Sequence, residues 1–145
     1  MRSIYDEILL THNLHPAHRG DLLGAEDAKR LVNASCGDEL LVLVERDADD
    51  KVKNVVWDGH GCAIALASAD LMAEVLMGKK WSEALALFDL LPALLRGELN
   101  AEQIEQFGEA AALSTVARMP ARQACAKLAW RVLEYFVVLL MPLML

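Results

Sequence analysis

Three cysteines and one aspartate are the residues of this sequence best suited to bind a metal. Cys36 and Asp38 flank Gly37, and a glycine there can adopt a positive φ that turns both short side chains toward one point. Cys62 and Cys125 stand elsewhere in the chain. Thiolates and a carboxylate are ligands that zinc takes in tetrahedral sites, and sulfur donors favour zinc or iron–sulfur clusters over magnesium or calcium. The set predicts a site for a soft metal.

The spacing of the cysteines leaves a second interpretation open. They lie 26 and 63 residues apart, and no Cys-X-X-Cys pair fixes a ligand geometry. On spacing alone, three such residues are more typical of small buried hydrophobic side chains than of metal ligands. An odd number of distant cysteines argues against a disulfide framework and is consistent with reduced thiols in the cytoplasm.

Two features would adjust the electrostatics of such a site. Cys62 follows Gly59-His60-Gly61 and precedes a helical pattern, so a helix N-terminus would favour its thiolate. Three thiolates and a carboxylate around Zn²⁺ leave a net charge of about −2 that a partly buried site must offset. Arg122, three residues before Cys125 and so on the same side of a helix, is the candidate to supply positive charge.

The histidines are weaker candidates. Three of them recur at every third position, but Pro16 interrupts any helix through that segment. We therefore expect a loop with exposed histidines, not a ligand set, at His12, His15 and His18. His60 would alternate away from Cys62 in an extended chain, so we expect it near the site but outside the ligand set.

Hydrophobic patterning predicts the elements that must position these residues. Ser3 and Asp6 are typical of a helix N-cap box, and a first helix is expected to end near His12, followed by a loop over residues 13–24. Three short segments rich in Val and Leu predict an antiparallel meander at residues 28–34, 40–45 and 52–58. The predicted class is α+β, with a three-stranded antiparallel sheet packed on one face by helices.

Helical spacing dominates the second half of the chain. It predicts a helix from Cys62 to a stop at Gly78, and another over residues 81–88. Breaks at three further positions then indicate an irregular helical insertion at about residues 80–118: Pro92, Gly97 and Gly108. A last apolar stripe predicts a long amphipathic helix that begins near Pro120. It comprises Cys125, Leu128, Ala129, Val132, Leu133 and Phe136.

Length and composition bound the class of protein. The 145 residues fit one domain, and 55% hydrophobic against 24% charged residues is typical of a folded chain. A net charge of −7 repels phosphate backbones, so nucleic acid is not an expected partner. Acidic residues near the N-terminus are unlike an export signal, and the apolar tail 136–145 is shorter than the roughly 20 residues of a membrane span. We expect a cytoplasmic protein without a membrane span.

The sequence resembles the SufU-like branch of the IscU/NifU family of iron–sulfur assembly proteins. The matching pieces occur in the family order from residue 3 to about residue 135, and together they are specific. They are Tyr5 to His12 with Pro16 and Gly20, Cys36-Gly37-Asp38, Gly59-His60-Gly61-Cys62-Ala63-Ile64, Gly78-Lys79, and Met119-Pro120-Ala121-Arg122 leading to Cys125. The SufU-like branch is favoured by the long path from Cys62 to Cys125 and by Ala124 where the IscU branch places a histidine.

The resemblance implies a single domain over residues 1–145 with a SufE/NifU-like fold and a zinc site of Cys36, Asp38, Cys62 and Cys125. It also implies a function, that of accepting sulfur from a pyridoxal-phosphate-dependent, SufS-like cysteine desulfurase and working with other Suf assembly proteins. Cys36 would receive persulfide sulfur, with Asp38 and Arg122 as further catalytic residues. This would make the chain a zinc-dependent sulfurtransferase.

Two alternatives remain at this point. The same four ligands could form the scaffold on which a transient [2Fe-2S] cluster is built, since thiolates bind iron–sulfur clusters as readily as zinc. In a third interpretation, zinc only stabilises the fold and the apolar tail 136–145 docks a partner. Sulfur transfer ranks first. Two features favour it over the scaffold: the insertion between Cys62 and Cys125, and Ala124 in place of the histidine of the IscU branch.

Overall fold

The computed structural model describes residues 3–135, and its element order confirms the predicted α+β class. The chain forms helix α1, three strands and then a series of helical segments. The bounds are α1 Ile4–Leu14, β1 Lys29–Asn33, β2 Asp38–Arg46, β3 Val52–His60, α2 Ala63–Leu76, α3 Trp81–Leu95, α4 Ala101–Gln106 and α5 Gln123–Lys127, with 3₁₀ segments at Gly108–Arg118, Pro120–Arg122 and Ala129–Arg131.

The sheet is an antiparallel meander in the order β1-β2-β3, as predicted. In its register, Leu31 lies opposite Leu40 and Val42 opposite Trp57. Leu40 and Val42 are fully buried while their neighbours on β2 are less so, and this alternation is typical of a sheet with one covered face. The strand begins at Asp38, two residues earlier than expected, so this carboxylate belongs to the sheet and not to the turn.

Helix α2 covers the sheet and is apolar almost all round. Its N-cap is Cys62, whose Sγ accepts the amide of Ala65 at 3.4 Å, and Gly78 follows its C-terminal end with φ +84°. The predicted stop at Gly78 is confirmed. The physical reason is the positive φ at this position, which glycine adopts easily and other residues do not. The predicted Ser3–Asp6 capping box of α1 is confirmed too.

The loop predicted for residues 13–24 is partly ordered by the sheet. Gly20 donates its amide to the carbonyl of Trp57 at 3.0 Å, and Trp57 donates to the carbonyl of His18 at 3.2 Å. A Cβ on Gly20 would lie 2.9 Å from the Val56 side chain, so the segment lies directly against β3. Arg19 is thereby placed with its guanidinium 4.9 Å from the centre of the Trp57 ring.

The prediction that Pro92 breaks the chain was wrong. Helix α3 continues through Pro92 to Leu95, and residues on both sides of the proline are buried, among them Leu91 and Leu94. Proline in a helix interior costs about 3 kcal/mol, whereas each fully buried leucine contributes roughly 2 kcal/mol. Burial of the apolar face therefore outweighs the lost backbone hydrogen bond.

The continuous helix predicted from Pro120 was also wrong. The backbone keeps helical dihedrals at Leu128 and Val132, but amides bond three residues back, as from Leu128 to Cys125 and from Arg131 to Leu128. The path therefore alternates between 3₁₀ and α turns. The apolar stripe is nevertheless buried from Cys125 to Leu133; its last member, Phe136, and the tail 136–145 lie outside the described residues.

Candidate functional site

The β1–β2 turn delivers the first two site residues. Cys36 donates its amide to the carbonyl of Asn33 at 3.3 Å, and Gly37 has φ +70°, the positive value that the sequence predicted. The thiol of Cys36 is half-buried on this turn. Asp38 is fully buried at the first position of β2.

The junction of β3 and α2 brings Cys62 to the same point. Its amide donates to Asp38 Oδ1 at 2.8 Å, and its Sγ lies 4.0 Å from Asp38 Oδ2. A Cβ on Gly61 would lie 2.6 Å from Asp38 Oδ1, so only glycine permits this approach. Gly59 has φ +127° and lies against the carbonyl of Glu39. The two glycines let the chain turn closely around the carboxylate.

Cys125 enters the site from α5. It is fully buried, and its Sγ lies 3.0 Å from Cys36 Sγ. The amide Nδ2 of Asn33 lies 3.5 Å from both Cys125 Sγ and Asp38 Oδ2. Sequence reasoning missed Asn33, whose one available signal was its position three residues before Cys36 at the end of a predicted strand.

The four predicted ligands thus converge from three parts of the chain. One ligand atom each from Cys36, Asp38 and Cys125 lies within 4.8 Å of the other two. Cys62 stands outside that tightest group but remains beside Asp38. A soft divalent metal fits this donor set, because it combines sulfur atoms with one buried carboxylate.

Arg122 lies at the open side of the site, as its spacing predicted. Its Nη1 is 3.9 Å from Cys36 Sγ, and the side chain is exposed. A hydrogen bond to Cys125 and the negative charge that the three cysteines carry when they are ionised raise the pKa of Arg122 further above its already high ordinary value. The guanidinium is therefore a permanent positive charge next to the thiols.

Burial changes the chemistry of Cys125. Desolvation, with hydrogen bonds to Cys36 and Asp38, raises the pKa of this thiol well above its ordinary value. Without a metal the thiol therefore keeps its proton at neutral pH. A metal ion displaces such a proton when it binds, so loading of this site is expected to release protons.

The expectation of exposed histidines was wrong for His12. It lies on the same face of α1 as Leu9, three residues earlier, and its Nδ1 is 2.6 Å from Asp70 Oδ2 while Nε2 is 3.0 Å from Glu109 Oε2. Burial lowers the pKa of His12, but the hydrogen bonds to Glu109 and Asp70 outweigh burial and leave the pKa above its ordinary value. The helical spacing from Leu9 was the signal available in the sequence. His15 is exposed as expected, whereas His18 is half-buried.

His60 and the surroundings of the site add two observations. His60 is exposed at the end of β3, opposite Glu39. Ala124, next to Cys125, is exposed as well. Among the helices of residues 3–135, none has the length and apolar character needed to cross a membrane.

Comparison with known proteins finds a matching family and similar individual proteins. The chain matches the family described as NifU-like N terminal domain over residues 4–135. It is 37% identical to the iron-sulfur cluster assembly scaffold protein IscU of Streptococcus pyogenes, over 92% of this chain and 82% of that protein. It is 30% identical to the zinc-dependent sulfurtransferase SufU of Bacillus subtilis, over 91% and 88%.

A solved structure supports the fold. The crystal structure described as a putative iron-sulfur cluster assembly scaffold protein for the SUF system of Fervidobacterium islandicum superposes with a TM-score of 0.77 at 30% identity. The match covers 89% of this chain and 93% of that chain. The family resemblance drawn from the motifs is confirmed.

Proposed function

The chain belongs to the family of NifU-like N-terminal domains, and we propose that it serves iron–sulfur cluster assembly as a zinc-dependent acceptor of sulfur from a cysteine desulfurase. The Bacillus subtilis relative carries the name of such a sulfurtransferase. The zinc ligands in this proposal are Cys36, Asp38, Cys62 and Cys125. Free thiols need a reducing compartment, so we keep the cytoplasm as the place of action.

The position of Cys36 carries the proposal. Cys125 and Asp38 are buried, and Cys62 is tied to the first turn of α2 through the amide of Ala65. Cys36 and Cys62 are both half-buried, but Cys36 stands on a turn next to exposed Gly37, whereas Cys62 Sγ accepts a helix amide. Cys36 is therefore the thiol better placed to meet a second protein. An acceptor of sulfur needs one such reachable nucleophile.

The neighbours of Cys36 give it the required character. Bound zinc would hold the thiols as thiolates. Arg122, 3.9 Å from Cys36 Sγ, stabilises the negative charge on that sulfur and on an incoming persulfide. Asp38 is anchored by the amide of Cys62, so it stays in place when Cys36 turns outward.

The transfer is a thiol–disulfide exchange without net oxidation. The thiolate of Cys36 attacks the terminal sulfur of the persulfide on the desulfurase cysteine. The bond between that sulfur and the desulfurase Sγ breaks as the bond to Cys36 Sγ forms. The desulfurase cysteine leaves as a thiolate, and Cys36 carries the persulfide with its proton.

A second candidate uses the same residues as a scaffold for a [2Fe-2S] cluster. The names of the Streptococcus pyogenes and Fervidobacterium islandicum proteins favour it. In this case iron and sulfide are cargo, and the three thiolates with Asp38 are the ligands of the growing cluster.

Mass spectrometry of the zinc-loaded chain tests the proposal. After incubation with a pyridoxal-phosphate-dependent cysteine desulfurase and cysteine, we expect one added sulfur atom on Cys36. The variant Cys36→Ser should gain none, whereas Ser35→Ala, on the same turn, should gain sulfur like the wild type.

Either of two results would contradict sulfur transfer. One is a Cys36→Ser variant that accepts sulfur at the full rate. The other is a wild-type chain without added sulfur while the desulfurase is active on a small thiol. A stable cluster formed on that same wild-type chain from iron and sulfide would then support the scaffold.

A further inference from the structure

A second group of metal-ligating atoms lies around the buried His12. Its Nε2 is 3.0 Å from Glu109 Oε2 and 3.4 Å from Glu74 Oε2. The three residues come from α1, α2 and the 3₁₀ segment Gly108–Arg118. One ligand atom each lies within 4.8 Å of the others. The fold therefore brings an imidazole and two carboxylates from distant parts of the chain to one point.

The far side of the imidazole is fixed by a buried carboxylate. His12 Nδ1 lies 2.6 Å from Asp70 Oδ2, and Asp70 is fully buried. Asp70 is itself held by Trp57 Nε1 at 3.0 Å and by the amides of His18 at 2.8 Å and Ala17 at 3.2 Å. Asp70 can only accept here, so Nδ1 donates to it. Metal-binding histidines are commonly oriented by such a carboxylate behind the ring.

This tautomer leaves a cluster of acceptors. With the proton on Nδ1, Nε2 presents a lone pair to Glu74 and Glu109, whose carboxylates are acceptors too. Acceptors at such short distances need a cation between them. A second proton on the ring, a proton shared by Glu74 and Glu109, or a metal ion can supply it, and among these only the metal alternative predicts tight metal binding.

We propose that His12, Glu74 and Glu109 form a second divalent-metal site, separate from the cysteine site. Ligand atoms of a tetrahedral zinc ion, at bonds of about 2.0–2.2 Å, lie roughly 3.3–3.6 Å apart, close to the separations from Nε2. The Glu74 and Glu109 side chains are 44% and 55% exposed and line a cavity of about 510 Å³, which leaves room for water at a fourth position.

The two sites differ in place and in chemistry. Cys62 caps α2 and Glu74 stands twelve residues later on the same helix, so the sites are separated by about 18 Å along its axis. The first site offers three sulfur atoms, and the second offers nitrogen and oxygen atoms. Imidazole and carboxylate ligands suit zinc, manganese, iron or cobalt. The cysteine site can therefore be filled with zinc first, and a different metal such as cobalt can then be offered to the second site.

Cobalt binding to the full chain tests the second site. The chain is first loaded with one equivalent of Zn²⁺ and then dialysed against Co²⁺, and bound metals are counted by mass spectrometry of the elements. We expect one Co²⁺ per chain, with no thiolate-to-cobalt absorption band, because the ion lies among nitrogen and oxygen ligands. The double variant Glu74→Gln/Glu109→Gln should bind it at least tenfold more weakly.

Glu105 provides the matched control, because it lines the same cavity and is not one of the three ligating residues. Glu105→Gln should bind Co²⁺ like the wild type, and circular dichroism should show that all variants are folded. The proposal is overturned if the double variant binds Co²⁺ within twofold of the wild type, or if Glu105→Gln weakens binding equally. A thiolate-to-cobalt band would show instead that cobalt had entered the cysteine site, and would overturn the separation of the two sites.

Discussion

Asp38 connects the parts of the cysteine site through one carboxylate. Its Oδ1 accepts the amide of Cys62, and its Oδ2 lies 3.5 Å from Asn33 Nδ2 and 4.0 Å from Cys62 Sγ. A buried charge is costly unless it is hydrogen-bonded or paired. The structure meets this requirement with the backbone amide of Cys62, the N-cap of α2, so the position of Asp38 and the start of that helix depend on each other.

Gly61→Ala is expected to weaken metal binding strongly, because its Cβ would lie 2.6 Å from Asp38 Oδ1. Either the carboxylate or the β3–α2 junction must move, which separates Asp38 from Cys62. We expect zinc affinity to fall by about 10- to 100-fold, the usual range for groups that orient ligands. Competition with a chromophoric chelator measures it.

Gly78→Ala is the matched control for Gly61→Ala. Gly78 has φ +84° but open space around it, so alanine there adds only backbone strain of about 1–2 kcal/mol at the far end of α2. Its zinc affinity should remain that of the wild type. Equal affinities in all three proteins would contradict the role of the Gly61 approach.

Asp58 gives the fold a pH-dependent contact. Burial raises its pKa, but the amides of Gly59 and Leu22 and the guanidinium of Arg19 outweigh burial and hold the pKa below its ordinary value. A carboxyl with a lowered pKa in the folded state stabilises the fold above its unfolded pKa of about 3.9. The stabilisation is lost as pH falls through the lower, folded value.

Asp58→Asn is therefore expected to lower the free energy of unfolding by about 1 kcal/mol at pH 7. The difference from the wild type should shrink in acid, below pH 4. Urea unfolding between pH 7 and pH 3, with chelator present in both proteins, measures the difference. A constant difference across this range would show that the charge of Asp58 does not stabilise the fold.

At the scale of elements, α2 is the part of the structure that links both candidate sites to the core. Its first residue follows Cys62, and its last turn carries Glu74. In its middle, the buried hydroxyl of Ser68 donates to the carbonyl of Ala126 at 2.5 Å and accepts from Trp130 Nε1 at 3.0 Å. Both bonds fix the path of the chain directly after Cys125, so α2 helps to set the depth at which that thiol enters the site.

Ser68→Ala tests this link. It leaves Trp130 Nε1 and the carbonyl of Ala126 buried without Ser68, which we expect to cost about 1–3 kcal/mol in unfolding free energy. Zinc affinity should fall as well, because α5 is no longer held against α2. Exposed Ser82→Ala is the matched control and should change neither quantity. A destabilised Ser68→Ala with unchanged zinc affinity would show that the link serves stability alone.

The sequence predicted elements best where a local signal determined them. The meander, the Ser3–Asp6 box and the Gly78 stop follow from alternation, capping and a positive φ, all of which act over a few residues. The continuation through Pro92 was missed because tertiary burial outweighs a local penalty. His12 was missed because its partners come from α2 and from the segment after α4, and no local pattern records such contacts.

For the candidate site, too, local features could be predicted from the sequence and contacts between distant parts of the chain could not. The residue types of the candidate ligands, the positive φ of Gly37 and the side on which Arg122 lies could be read from composition and spacing. The contact of Gly61 with Asp38 and the amide of Asn33 do not, since both depend on how the β1–β2 turn meets the start of α2.

At the scale of the whole molecule, the hydrophobic core is formed without the candidate metal site. It extends from Leu9 on α1 to Leu133, and includes fully buried Trp57 and Trp130. The three cysteines stand at its edge, where the turn between β1 and β2 meets the start of α2 and the short helix α5. A chain of this length buries roughly two thirds of its surface on folding and needs no metal to do so.

Removal of zinc with a chelator is therefore expected to leave the chain folded. Metal that binds only the folded state contributes about 2.7 kcal/mol at a concentration of one hundred times Kd, so the urea midpoint should fall while the far-UV circular dichroism in the absence of urea is retained. The Cys36→Ser variant should show a smaller change on chelation, because its site lacks one ligand. Unfolding of the wild-type chain by the chelator alone would contradict this and support a metal that only stabilises the fold, since such domains are unfolded without it.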